Sequence, residues 1–160
     1  MRFPRMIAVA AVGAIALAAC GSSYGKGSHA AEPQAAAQSS PSAQATVTTG
    51  NTALGSVLVD GSGLTLYGRT SDTNGMSSCT GACAVAWPPV TVSGSALPAG
   101  LDAKIFSVVA RPDGSFQLRA GKWPLYRYAG DAAPGDTNGQ GIGGVWFAVA
   151  PTGKLIKGAS

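Results

Sequence analysis

Histidine is almost absent from this chain, and glutamate nearly so. The one histidine, His29, and the one glutamate, Glu32, both lie in an N-terminal stretch without folding signals. A folded region without imidazole excludes Ser-His-Asp and Cys-His catalysis, and with them His-bearing zinc, haem and blue-copper sites. Paired-carboxylate hydrolysis would have to use six aspartates alone, most of them in turn-forming contexts. There is no G-x-x-x-x-G-K-[ST] loop and no G-x-G-x-x-G after a strand, which removes the phosphate-cradling templates. Charge is also scarce, at 11% of residues, so a charged disordered protein is excluded. The expectation is a protein without a cofactor and without enzymatic activity.

What remains is apolar and turn-rich. Of 160 residues, 46% are hydrophobic, while 23 glycines and 10 prolines, about a fifth of the chain, favour many turns over long helices. The formal charge is +4, but Arg2 and Arg5 belong to a leader. Without them nine basic residues face seven acidic ones, a net +2 that is too small for a nucleic-acid footprint.

Residues 1–19 read as a signal peptide. Arg2 and Arg5 form the n-region, and Met6 to Leu17 forms an apolar run. About a dozen residues are too few for a transmembrane helix and suit a secretory h-region. The run ends in Leu17-Ala18-Ala19-Cys20-Gly21, which resembles the bacterial lipobox. That resemblance implies a diacylglyceryl group on the Cys20 thiol and a mature chain beginning at Cys20. Two acyl chains anchor stably where one does not. The expected location is the cell membrane, lipid-anchored on its extracytoplasmic side.

Residues 20–50 then change composition to Ala, Ser, Gln, Gly and Thr, with Pro33 and Pro41 as helix breakers. They read as a lipidated, disordered tether with an r.m.s. reach of roughly 30 Å.

Residues 51–158 carry a duplication. Leu66-Tyr67-Gly68-Arg69-Thr70-Ser71-Asp72 matches Leu125-Tyr126-Arg127-Tyr128-Ala129-Gly130-Asp131 at an offset of 59, which also carries Trp87 onto Trp146, Val57 onto Phe116 and Val59 onto Leu118. Alternation predicts strands at 56–59, 107–110, 116–119 and 145–149. Asp60-Gly61, Asn74-Gly75, Asp113-Gly114 and Asn138-Gly139 supply turns. A short helix is expected from Thr80 to Trp87, capped by Ser78 or Thr80 and stopped by Pro88-Pro89. The fold class is mainly β: one small domain of two strand-turn-strand-loop-strand repeats (about 53–92 and 107–150), with one short helix near 80–87. The two copies are expected to pack together, since about 50 residues bury too little apolar surface alone.

The paired Leu-Tyr…Asp segments, Ser78-Cys79-Thr80-Gly81-Ala82-Cys83 leading to Trp87-Pro88-Pro89, and Gly135-Asp136-Thr137-Asn138-Gly139 leading to Gly144-Val145-Trp146 resemble a family of secreted-repeat lipoproteins of unknown function, marked by a Tyr-x-aromatic-x-x-Asp motif. The second copy fits through Tyr126, Tyr128 and Asp131, whereas Arg69 stands at the aromatic position of the first. Members often carry His after the second Trp, where this chain has Phe147. The resemblance implies an envelope lipoprotein and no assigned activity.

Several residues admit two readings. With Cys20 acylated, Cys79 and Cys83 are an even pair in an oxidising compartment, which suits a structural disulfide. Alternatively Met76, Cys79 and Cys83 offer a thioether and two thiolates, a soft set that selects Cu(I), or a thiol-redox pair. Tyr67 with Asp72, and Tyr126 with Asp131, are either ligand-binding pairs or a buried ring followed by a turn-capping carboxylate. Trp87, Trp123 and Trp146 are either core or a carbohydrate platform. Asp136 to Gly141 echoes a calcium loop but lacks the bidentate Glu, since Phe147 stands at its twelfth position. The leading expectation is a membrane-anchored, non-catalytic binding or structural module with an envelope partner. A copper or thiol-redox protein is the alternative.

Overall fold

The computed structural model describes residues 45–158; the leader, Cys20 and most of the tether segment lie outside the described residues. Eight strands run in chain order: β1 (Val47–Thr52), β2 (Gly55–Asp60), β3 (Tyr67–Arg69), β4 (Thr91–Val92), β5 (Phe106–Ala110), β6 (Phe116–Ala120), β7 (Trp123–Pro124) and β8 (Trp146–Ala148). A single α-helix among the described residues, α1 (Ala82–Ala86), lies between β3 and β4. The protein is mainly β, as its alternation predicts.

Strand β1 starts at Val47, inside the stretch assigned to the tether. Its residues pair antiparallel with β2 from Val47↔Asp60 to Thr52↔Gly55. Val47-Thr48-Thr49 is β-branched, and that propensity decides the local structure over the polar composition.

Antiparallel hairpins β1–β2 and β5–β6 are equivalent in the two copies. Their joining segments meet at Tyr67 and Tyr126, each donating its amide to the other's carbonyl at 2.9 Å. Around that pair the copies exchange their ends. Val149, which follows β8 of the second copy, donates to Leu66 and accepts from Leu58 of the first (3.0 and 2.7 Å). Val90, at the end of the first copy, donates to Leu125 and accepts from Leu118 of the second, both at 2.9 Å. β8 likewise pairs with β3, and β4 with β6. Each copy therefore completes the backbone hydrogen bonding of the other.

These reciprocal bonds correct the alignment of the hairpins. Leu58 is equivalent to Leu118, so the hairpin offset is 60 and Val57 corresponds to Gln117, not Phe116. Likewise Val59 corresponds to Arg119 and not Leu118. The first copy has one extra residue between β2 and its Leu-Tyr pair. In a strand a slip of one reverses every side chain.

The helix is also shorter than expected. It spans Ala82–Ala86 and begins after Gly81, whose φ of +54° suits glycine, with no side-chain cap. The Ser78 hydroxyl donates instead to the Asp72 carboxylate at 2.7 Å. Pro88 and Pro89 follow directly after Trp87.

Two apolar clusters form, and both copies contribute to each. One gathers Val57, Val59, Tyr67, Cys79, Trp87, Tyr126, Trp146 and Ala148. The other gathers Leu58, Leu66, Val90, Phe106, Leu118, Ala120, Leu125 and Val149. Neighbours such as Leu66 and Tyr67 divide between them because successive strand side chains point to opposite faces.

Candidate functional site

The motif residues of both copies converge in the first cluster, around the Tyr67–Tyr126 bridge. The two phenols are fully buried and both are hydrogen-bonded to carboxylates, but not to those of their own copy. Tyr67 donates to Asp131 at 2.7 Å, and Tyr126 donates to Asp72 at 2.5 Å. The sequence pairs Tyr67–Asp72 and Tyr126–Asp131 are thus replaced by crossed pairs. Antiparallel strands meeting at the tyrosines carry each aspartate, five residues on, past the opposite ring. The second oxygen of each carboxylate accepts a loop amide at 2.9 Å, from Ser78 for Asp72 and from Asn138 for Asp131. Each aspartate closes its own loop and holds the other copy's tyrosine.

The two indoles meet each other across the copies. Trp87 and Trp146 stack at 3.8 Å between centroids, 3° from parallel, and are only 5% and 4% exposed. Tyr67 meets Trp87 edge-on at 5.5 Å, and Tyr126 meets Trp146 edge-on at 5.0 Å, an arrangement favoured by the ring quadrupoles. Tyr128 covers the outer side of Trp87 at 4.4 Å. At the equivalent place the Arg69 guanidinium lies over Trp146 at 5.4 Å. The arginine departure from the aromatic motif is accommodated because a planar cation stacks where a ring would. Gly139 lets its loop approach this stack: a Cβ there would come within 2.8 Å of the Tyr67 ring and 3.0 Å of Trp87. Trp123, the third indole, sits elsewhere, half-buried on β7.

Burial and the adjoining carboxylates push both phenol pKa values well above the usual tyrosine range. For Asp60 burial would raise the carboxyl, but the Arg127 guanidinium and the Leu64 and Ser62 amides outweigh it and hold it low.

One side of the site carries a polar network with no counterpart on the other. Arg111 is buried and donates to Ser77 Oγ at 2.7 Å, Gln117 Oε1 at 2.6 Å and the Cys79 carbonyl at 2.9 Å. Ser77 in turn donates its hydroxyl to the Tyr126 oxygen at 2.7 Å, and Gln117 donates to the Leu125 carbonyl at 2.7 Å. A buried cation needs this many partners to offset its desolvation. Sequence reasoning missed Arg111, Ser77 and Gln117. The available signal was Gln117 itself, a polar residue on an inward position of a strand, visible only with the offset of 60.

Cys79 and Cys83 form a disulfide, with Cα atoms 5.2 Å apart. Met76 is 54% exposed. Among the described residues no group of three or more His, Cys, Asp or Glu side chains is placed to hold a metal ion. The Asp136–Gly141 loop has two of its side-chain oxygens engaged internally, Asp136 Oδ2 and Gln140 Oε1. Asp136 accepts the Ala132 and Ala133 amides, and Gln140 accepts the Ala148 amide while donating to the Ile156 carbonyl. Shallow cavities of about 160 and 190 Å³ lie beside the 93–101 loop, lined by residues such as Val92, Leu97 and Pro98, and by Ala45, Val47 and Leu101. None of the motif side chains lines them, and both are below the usual size of a small-molecule site.

Fold and site together define a class: a duplicated β domain whose copies lock through crossed Tyr–Asp pairs and stacked tryptophans. The chain belongs to the family described as a secreted repeat of unknown function, whose model matches residues 48–91 and 107–150, one match per copy. No curated protein and no solved structure matches it.

Proposed function

We propose that the protein is a non-catalytic lipoprotein of the cell envelope, anchored through acylated Cys20, whose duplicated domain serves as a binding or structural module. The observation that supports this most is the engagement of the motif. Tyr67, Tyr126, Asp72 and Asp131 donate to or accept from one another and the loop amides, and the indoles face each other. Groups held this way stabilise a scaffold and leave contact with any partner to its surface. Membership in a secreted family agrees with an extracytoplasmic address.

The test has two readouts. Protein isolated from the envelope should carry a diacylglyceryl mass on an N-terminal Cys20, and Cys20→Ser should leave the membrane fraction or stall as a precursor. In-cell crosslinking of the intact lipoprotein should then capture a defined envelope component. A Cys20→Ser protein that is still processed and still needs detergent would refute the anchor. The alternative, a copper or thiol-redox protein using Met76, Cys79 and Cys83, requires two free thiols in the isolated protein and stoichiometric Cu(I) binding.

A further inference from the structure

Opposite the tryptophan stack, the β3–β8 pair presents a second face of different character. Gly68 and Phe147 are paired across it, so the Phe147 side chain stands on the side toward which a Gly68 Cβ would point. That side is filled by Trp123 and Leu155, each 2.9 Å from such a Cβ. Trp123, Phe147 and Leu155 are therefore gathered over one glycine, and all three are partly exposed. Around them stand three lysines. Lys122 holds its ammonium over the Trp123 ring at 4.6 Å, and Lys157 holds its own over Phe147 at 5.9 Å. Lys154 joins them because the turns at Gly121 and Gly153 touch, a Gly121 Cβ falling 2.7 Å from the Gly153 carbonyl oxygen. All three lysines are exposed. None is in an ion pair among the described residues, whose pairs are Arg111–Asp113 and Arg127–Asp60.

We propose that this face rests on an anionic phospholipid headgroup layer. Aromatic rings with a polar rim suit the interfacial zone, where an apolar body sits among headgroups and long cationic side chains reach the phosphates. The charge is complementary to anionic lipid, and the chain itself supplies proximity. Only 24 residues lie between Cys20 and Ala45, so an acylated N-terminus keeps the domain within about 90 Å of the bilayer. Such tethering raises the effective concentration to a range where a weak contact suffices. The argument from proximity rests on the lipid-anchor reading; the charge and the aromatic geometry do not.

The experiment accordingly removes the anchor. Residues 20–160 with Cys20→Ser are cosedimented with vesicles of phosphatidylcholine alone and of phosphatidylcholine with equal phosphatidylglycerol. Each lysine close to an anionic surface is worth about a fivefold change in partitioning. The expected result is binding to the anionic vesicles that is roughly 100-fold stronger than to neutral ones, and is lost at high salt. Lys122→Gln, Lys154→Gln and Lys157→Gln combined should abolish that preference without moving the unfolding midpoint. Equal partitioning into both vesicles, or an unchanged preference in the triple variant, would overturn the proposal. So would equal affinity for soluble polyglutamate, which would assign the face to a polyanion and not to a bilayer. Because the tested chain carries no acyl group, failure here is distinct from a missing diacylglyceryl mass on Cys20.

Discussion

Replacing Tyr67 by Phe removes one hydroxyl from the crossed Tyr–Asp arrangement and leaves the ring in place. The loss is greater than that of an exposed hydrogen bond, because the partner Asp131 is itself only 7% exposed and keeps a single amide donor, from Asn138. Hydrogen bonds to charged groups contribute about 1.5–3 kcal/mol, and an orphaned buried acceptor adds to the deficit. Tyr67→Phe should therefore cost about 2–3 kcal/mol of a total on the order of 5–15. The informative quantity is the coupling. In urea-unfolding double-mutant cycles, Tyr67→Phe with Asp131→Asn should show an interaction of about 1–3 kcal/mol. Tyr67→Phe with Asp72→Asn should be additive within about 0.5 kcal/mol. Tyr126 should behave inversely, coupling to Asp72. Stronger coupling within a copy, Tyr67 to Asp72, would refute the crossed pairing and with it the exchange of ends between the copies.

Truncating Trp87 or Trp146 to Ala should cost about 3–5 kcal/mol, and lower the thermal midpoint by some 15 °C or more, because each indole loses a stacked partner in a nearly closed core. Unchanged midpoints for both would show that the stack does not hold the copies together. The two phenols also predict an alkaline limit. Their pKa values are raised in the folded state and near 10 when unfolded, so stability is complete below about pH 10 and falls above it. With two such groups the slope approaches about 2.7 kcal/mol per pH unit, and Tyr67→Phe should halve it. In a background with Tyr24→Phe and Tyr128→Phe, phenolate absorbance that rises before unfolding would contradict this. Reducing the Cys79–Cys83 disulfide should cost about 2 kcal/mol in the chain-entropy picture, read as a shift in urea midpoint with the slope unchanged. Gly139→Ala should destabilise by forcing the loop off the Tyr67 and Trp87 rings, and an unaltered midpoint would show that the loop yields freely.

Much of this architecture is legible in local sequence. Alternation and Asp-Gly turns mark the hairpins, since side-chain period and turn chemistry act over a few residues. The Leu-Tyr…Asp and Trp repeats mark the duplication because both copies need the same buried groups. β1 was hidden by its polar threonines, and the hairpin register by one extra turn residue that no local pattern reveals. Arg69 departs from the aromatic motif in sequence, yet it stacks on Trp146 as Tyr128 does on Trp87.

Which tyrosine meets which aspartate was decided only by the tertiary structure. Composition and spacing determine that rings are buried and that Asp72 and Asp131 follow turns, because burial and turn formation depend on nearby residues. They carry no information on partners more than fifty residues away. The crossing arises when Tyr67 and Tyr126 bond antiparallel, 59 positions apart, and send each loop past the other copy. The Arg111–Ser77–Tyr126 network and the aromatic face over Gly68 share that origin. Each depends on residues made neighbours by a long-range strand pairing, whose energy is collected only once the whole chain has closed.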